Sequence, residues 1–368
     1  MIGKLNMHEL GLDTTNNNPT GCTPLNPHNS HYYTGGSSGG SAYTVSAGLL
    51  PITLGADGGG SIRIPSAYCG IYGLKPSHGR ISASPTLRIA RSNGVYGPMA
   101  SNMSDLEIGY RYMAIPDPNN SESSMFAPPI PNEADPKRPK IMGVYKPWFD
   151  QADSVVLNAC RAALSHYESV GYTVIDITLP YLVEGQLAHA MTILSEAALG
   201  KHELGHLAPA NKILLSVGKQ TPAFDFLLAQ RMRNLLMEHL AYLFRQHPGL
   251  LIVTPTTPNA GWHISGGAAD MKYGVSDGNS SLRNMEYIWL ANFTGCPALS
   301  VPVGLAEPKE GLGKIPMGLM AMAEWGAEED LLEWGRTSEQ WTLEEGGEER
   351  FKRPRSWVDI LNMATNTG

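Results

Sequence analysis

Two glycine-serine clusters constrain this chain more than any other feature. Gly35-Gly36-Ser37-Ser38-Gly39-Gly40-Ser41 and Gly58-Gly59-Gly60-Ser61 flank an apolar stretch from Val45 to Leu54. Glycine reaches backbone conformations closed to other residues. Two such clusters around a buried segment imply backbone folded closely about something small, with serines left to do chemistry. A flexible linker has a similar composition, but a linker is not followed within a few residues by Val45, Leu49, Leu50, Ile52 and Leu54. A phosphate cradle needs Gly-Lys-Ser/Thr at a helix start, and neither cluster has the lysine. A nucleophile elbow closes on a glycine two residues after its serine, and Gly60-Ser61-Ile62-Arg63 has none.

The stretch Gly55-Ala56-Asp57-Gly58-Gly59-Gly60-Ser61-Ile62-Arg63-Ile64-Pro65 continues through Tyr68-Cys69-Gly70 to Leu74-Lys75-Pro76. With the first cluster 24 residues upstream, it resembles the signature of the amidase signature family of serine hydrolases. Thr254-Pro255-Thr256-Thr257-Pro258 resembles the family's threonine-proline strand end. The segment from Asn292 to Gly304 resembles its NxTGxPAxSxPxG motif, and Pro316-Met317-Gly318-Leu319 a further strand with methionine in place of glutamine. Residues 115–240 match only in general pattern.

This resemblance implies a Ser-Ser-Lys triad. Ser61 is the expected nucleophile, and Ser37, following a cis peptide from Gly36, the expected proton relay. Backbone N–H groups of Gly58, Gly59, Gly60 and Ser61 would form the oxyanion hole. Ser38, Asp57 and Arg63 would support the loop. The family's lysine sits upstream in a Val-Lys-Asp motif. Here 36 residues precede Ser37, and their one lysine, Lys4, falls in a segment resembling a different strand. Lys75 matches a lysine that the family uses structurally. Hydrolysis is therefore expected to be impaired, in a fold shortened at its N-terminus.

Charged residues make up 17% of the chain and apolar ones 42%, enough for a sizeable core and too apolar for disorder. The net charge of −7 argues against nucleic acid as a partner. Cys22, Cys69, Cys160 and Cys296 are scattered without a Cys-x-x-Cys pair, so neither a zinc site nor a disulfide frame is indicated. A reducing, cytoplasmic setting follows. No apolar run approaches the length of a membrane span, and Met1 to Leu12 lacks a secretory apolar region.

Coarse elements follow the hydrophobic pattern. Ile141–Val144 reads as a strand. Asp153 caps a helix to about Val170, with Val156, Cys160, Ala163, Leu164 and Tyr167 on one face, and Thr173–Ile177 returns as a strand. Leu250–Val253 is a buried strand. Residues 183–245 look helical throughout, with Phe226, Leu227, Met232, Leu235, Leu236, Leu240, Leu243 and Phe244 supplying apolar faces. In relatives this is the variable region that shapes the substrate pocket. Residues 115–140 and 259–282 read as loops, 344–353 as a solvated charged segment, and His28 and His31 as loop or surface histidines.

These readings converge on an α/β fold. One domain over residues 1–368 is expected, with its signature core at 35–82. A mixed sheet is sandwiched between helices, and both clusters sit at a central strand edge. The expected activity is hydrolysis of the C–N bond of a small or medium linear amide, with no cofactor, no metal and a possible homodimer. Two alternatives stand beside it. One is the same fold with hydrolysis lost and the pocket reused for a small metabolite. The other is an active relative with a further N-terminal segment.

Overall fold

A strand covered on both faces is apolar at nearly every position, and three stretches of this chain have that character. They form the middle of one eight-stranded sheet in a computed structural model. The structure describes all residues except 1, 87–88, 132–138, 201–203, 274, 346 and 366–368. The strands are β1 (Ile52–Asp57), β2 (Tyr72–Lys75), β3 (Val95–Ala100), β4 (Ile141–Val144), β5 (Thr173–Asp176), β6 (Leu250–Pro255), β7 (Ala298–Ala306) and β8 (Ile315–Met322). Their spatial order is β1-β3-β2-β7-β8-β6-β4-β5. β4 runs parallel to β5 and β6, and the other pairs are antiparallel. The buried strands β6, β7 and β8 are adjacent and central.

The helices before residue 341 are α1 (Gly39–Ser46), α2 (Arg63–Cys69), α3 (Met103–Met113), α4 (Lys146–Phe149), α5 (Ser154–Ser169), α6 (Leu182–Ala198), α7 (Pro209–Lys219), α8 (Ala223–Gln246), α9 (Ala268–Tyr273), α10 (Gly278–Asn284), α11 (Trp289–Thr294) and α12 (Glu328–Gln340). Successive strand residues point to opposite faces, and Leu299 and Ser300 on β7 show what covers each. A Cβ placed on Gly335 of α12 would lie 2.7 Å from Leu299 Cδ2. One placed on Gly318 would lie 2.8 Å from Ala67 of α2 and 3.1 Å from Ser300 Oγ. α12 therefore covers one face and α2 the other. Tyr167 of α5 stacks on Trp334 of α12 with centroids 5.1 Å apart, so α5 joins the α12 layer. The mixed sheet lies between helices.

Several local expectations change. The sheet places β1 at its outer edge, not at its centre, because β1 pairs only with β3 among the described strands. Asp153 stands at the N-cap of α5 by backbone alone; its carboxylate instead meets Arg283 at 3.1 Å. The 183–245 region is three helices, α6, α7 and α8, separated by breaks. On α8, Leu236, Leu240, Leu243 and Phe244 are buried while Leu227 and Leu235 face solvent. Residues 259–282 are not all loop: they contain α9 and most of α10. Asp277 accepts from the Asn279 and Ser280 N–H groups at 3.0 Å and starts α10. In the charged tail, Arg350 lies over the Trp341 ring, 4.0 Å from its centroid. Residues 132–138 of the expected 115–140 loop, and the side chains of Glu344, Glu345, Glu348 and Glu349, lie outside the described residues. No helix among the described residues is long and apolar enough to cross a membrane.

Candidate active site

β1 ends at Asp57, and the chain must turn through Gly58–Ser61 to start α2 on the sheet face. That turn needs glycine. Gly60 has φ +106°, and a Cβ there would lie 2.6 Å from Ile288 Cδ1, so a side chain is excluded by conformation and by space. The first cluster leads into α1, which packs beside β1 and α2.

The two clusters are tied to each other. The Ser38 N–H donates to the Ser61 carbonyl at 3.1 Å. Ser38 Oγ donates to Ala56 O and accepts from the Ala56 N–H, both at 3.1 Å. The Gly36–Ser37 peptide is cis. The His8 N–H donates to the Ser37 carbonyl at 2.9 Å, and the Gly39 N–H to Asn16 Oδ1 at 2.8 Å. Ser37, Ser38 and Ser61 are all buried, Ser61 the least so at 9% exposure.

Beneath the loop lies a fully buried charged pair. Arg63 Nε meets Asp57 Oδ2 at 3.0 Å and Arg63 Nη2 meets Oδ1 at 3.1 Å. The same guanidinium donates to Asn292 Oδ1 at 2.5 Å and to Ile288 O at 2.9 Å. Burial works to raise the Asp57 carboxyl, but Arg63 and the Gly60 N–H outweigh it and hold it well below the usual carboxylate range. A buried charge needs such partners to remain charged.

Each peptide of the loop is held by its carbonyl or its N–H. In a trans peptide the C=O and the following N–H point in opposite directions. Asn292 Nδ2 donates to Asp57 O at 2.9 Å, which fixes the Gly58 N–H. His189 Nε2 lies 2.9 Å from Gly58 O, which fixes the Gly59 N–H. The Ile64 N–H donates to Gly60 O at 2.8 Å, which fixes the Ser61 N–H. The Gly60 N–H differs: it donates to Asp57 Oδ1 at 2.6 Å. Of the four donors expected from sequence, Gly60 is therefore already engaged, because one N–H proton cannot serve both a carboxylate and a substrate at full strength.

His189, on α6, is a site residue that sequence reasoning missed. It is completely buried, and burial pushes its imidazole down to about 4. The ring is neutral near pH 7, with Nε2–H the donor to Gly58 O; Nδ1 has no hydrogen-bond partner among the described residues. A Cβ on Gly59 would lie 3.0 Å from His189 Cε1 and 2.9 Å from Met285 Cε, and one on Gly58 would lie 3.1 Å from Ile193 Cδ1. Ile193, Met285 and Ile288 thus give the loop an apolar wall. A lone histidine among alanines on a helix carries little local signal of such a role.

Other candidates fall elsewhere. Lys75 Nζ donates to Pro76 O at 2.6 Å, and burial and the Arg63 charge push its ammonium down to about 7. The His28 ring lies 3.1 Å from Cys69 O, and burial pushes it down to about 4. Lys4 is exposed.

Known proteins resemble the chain along most of its length. It is 35% identical to a fatty acid amide hydrolase of Medicago truncatula, covering 98% of this chain and 59% of that protein. It is 34% identical to a fatty acid amide hydrolase of Arabidopsis thaliana, covering 98% and 60% respectively. It thus spans about 59% of the length of the fatty acid amide hydrolases it matches. A glutamyl-tRNA(Gln) amidotransferase structure from Thermotoga maritima shares the fold, with a TM-score of 0.79 and 22% identity over 97% of this chain and 76% of that one. A crystal structure of an amidase gives a TM-score of 0.74 at 25% identity, over 90% of this chain and 72% of that one. The model of the Amidase family matches residues 1–332. Joined clusters, a braced glycine loop and a match over nine-tenths of the sequence lead to one assignment: the chain belongs to the Amidase family.

Proposed function

We propose that this chain hydrolyses the C–N bond of a small or medium linear amide, with Ser61 as nucleophile. The observation that carries this reading is the anchored loop. The Gly58, Gly59 and Ser61 N–H groups are each fixed through a peptide carbonyl held by Asn292, His189 or Ile64. Fixed donors aimed at developing charge supply a large share of acyl-transfer catalysis, about 10²–10³ in rate for one donor. The apolar wall of Ile193, Met285 and Ile288 suits an apolar acyl group, and the likeness to fatty acid amide hydrolases agrees with that choice.

In the proposed step, Ser61 Oγ bonds to the amide carbon and the carbonyl π pair moves to oxygen. The fixed N–H groups stabilise that oxyanion. The Ser61 proton passes through Ser37 to the leaving nitrogen, the C–N bond breaks, and the amine departs. Water then attacks the acyl-enzyme by the same route and releases the acid.

Turnover by the 368-residue chain is proposed to be slow. Lys75 is committed to Pro76 O and Lys4 is an exposed residue, so neither stands behind Ser37 as a base. Loss of a general base costs about 10²–10⁴ in rate. The test is steady-state kinetics on short aliphatic, aryl and long-chain acyl amides, with Ser61→Ala and Ser37→Ala alongside wild type. Measurable turnover abolished by Ser61→Ala supports the reading. Full activity in Ser61→Ala contradicts it, as does pocket binding without any hydrolysis, which would favour a reused site.

A further inference from the structure

Three segments distant in sequence meet at His31, His263 and Glu310. We propose that these three side chains form a zinc-binding site. His31 Nδ1 lies 3.4 Å from Glu310 Oε1, and His263 Nε2 lies 3.0 Å from Glu310 Oε2. All three ligand atoms lie within 4.8 Å of one another. Tetrahedral zinc with ligand bonds of about 2.0–2.2 Å keeps its ligand atoms about 3.3 Å apart. Two edges of that triangle are already close to this length, and small side-chain rotations close the third.

The ligand chemistry fits. Two imidazoles and one carboxylate form a borderline set suited to zinc, and three protein ligands leave a fourth position for water. Cysteine spacing could not reveal this site, because no cysteine takes part.

The backbone around the three residues is pinned before any ion arrives. The Ile264 N–H donates to His31 O at 2.9 Å. Asn29 Nδ2 donates to Glu310 O at 2.8 Å and to Gly313 O at 3.2 Å, and Asn29 Oδ1 accepts from the His31 N–H at 3.0 Å. Tyr32 packs its ring against the His263 ring, with centroids 5.3 Å apart, and its hydroxyl accepts from the Lys309 N–H at 2.7 Å. His263 Nδ1 lies 3.5 Å from Ser265 Oγ, an outer partner of the kind that orients a ligating imidazole. Such an outer shell fixes ligand rings in advance. A bound zinc would staple the β7–β8 connection to residues 262–264 and to the segment that runs from His31 into the first glycine-serine cluster.

The test uses the full chain freed of metal by chelator and titrated with zinc chloride in a calorimeter. Wild type, His31→Gln, His263→Gln and the double variant are compared, with circular dichroism confirming the fold. The expected result is one zinc per chain and at least tenfold weaker binding in each single variant. Binding should be lost in the double variant, and zinc should raise Tm in wild type alone. His31 is exposed, so His31→Gln decides the question even if His263→Gln loosens the fold. Absence of saturable zinc binding at one per chain would overturn the proposal, as would unchanged binding in the double variant.

Discussion

His189 Nε2 and the Gly58 carbonyl oxygen lie 2.9 Å apart, although 131 positions separate them in sequence. The bond joins the helical pocket region to the glycine loop and fixes the direction of the Gly59 N–H. His189→Phe should therefore lower kcat by about 10²-fold with little change in KM, because one aimed donor is worth that much in the transition state. A purely structural role would move Tm without separating kcat from KM. Parallel Tm and kcat measurements on His189→Phe and His189→Gln check this, and partial recovery of kcat in His189→Gln is expected because its amide can also donate.

Arg63→Met should be strongly destabilising. It would leave Asp57 buried and charged without its partner, which costs about 3–5 kcal/mol for a broken buried pair. Both side chains are fully buried. Urea unfolding of Arg63→Met measures the loss; a change below about 1 kcal/mol would show that Asn292 and the loop N–H groups suffice alone.

Acid should weaken the fold through His28 and His189. Burial pushes both imidazoles down to about 4, against an unfolded value of about 6.5. The unfolded chain therefore binds more protons between those values, and stability falls as pH drops from about 6.5 toward 4. Thermal melts of wild type and His28→Gln across that window check this; His28→Gln should have the shallower pH dependence.

Lys75 acts at the other end of the scale. Its ammonium is pushed down to about 7 in the fold, against about 10.4 unfolded. The unfolded chain again holds the extra proton, so stability should rise with pH between about 7 and 10.4. Lys75→Met should flatten that rise in urea midpoints taken across the same range.

Much of the site was legible locally. The glycine runs, the two serines and the Asp57–Arg63 spacing lie within 29 residues, from Gly35 to Arg63, and their pattern reflects backbone conformations that only glycine adopts freely. The groups that aim the loop were not legible. Asn292 reaches Asp57 across 235 positions, and His189 reaches Gly58 from a helix whose own pattern reads as core. The edge position of β1 depends on strand order, which hydrophobic periodicity does not encode. α10 was hidden by a Gly/Ser/Asp composition typical of loops, although Asp277 before Gly278 is a helix-start signal. His31, His263 and Glu310 meet only through the tertiary fold.

Labelling with an alkyl fluorophosphonate, read by peptide mass spectrometry, tests the central claim most directly. Phosphonylation consumes the nucleophile and needs the oxyanion donors, but it does not require release of an amine. The account predicts a single adduct on Ser61, formed more slowly in His189→Phe and lost in Ser61→Ala. An unlabelled Ser61, or an adduct on another serine that persists in Ser61→Ala, would contradict it.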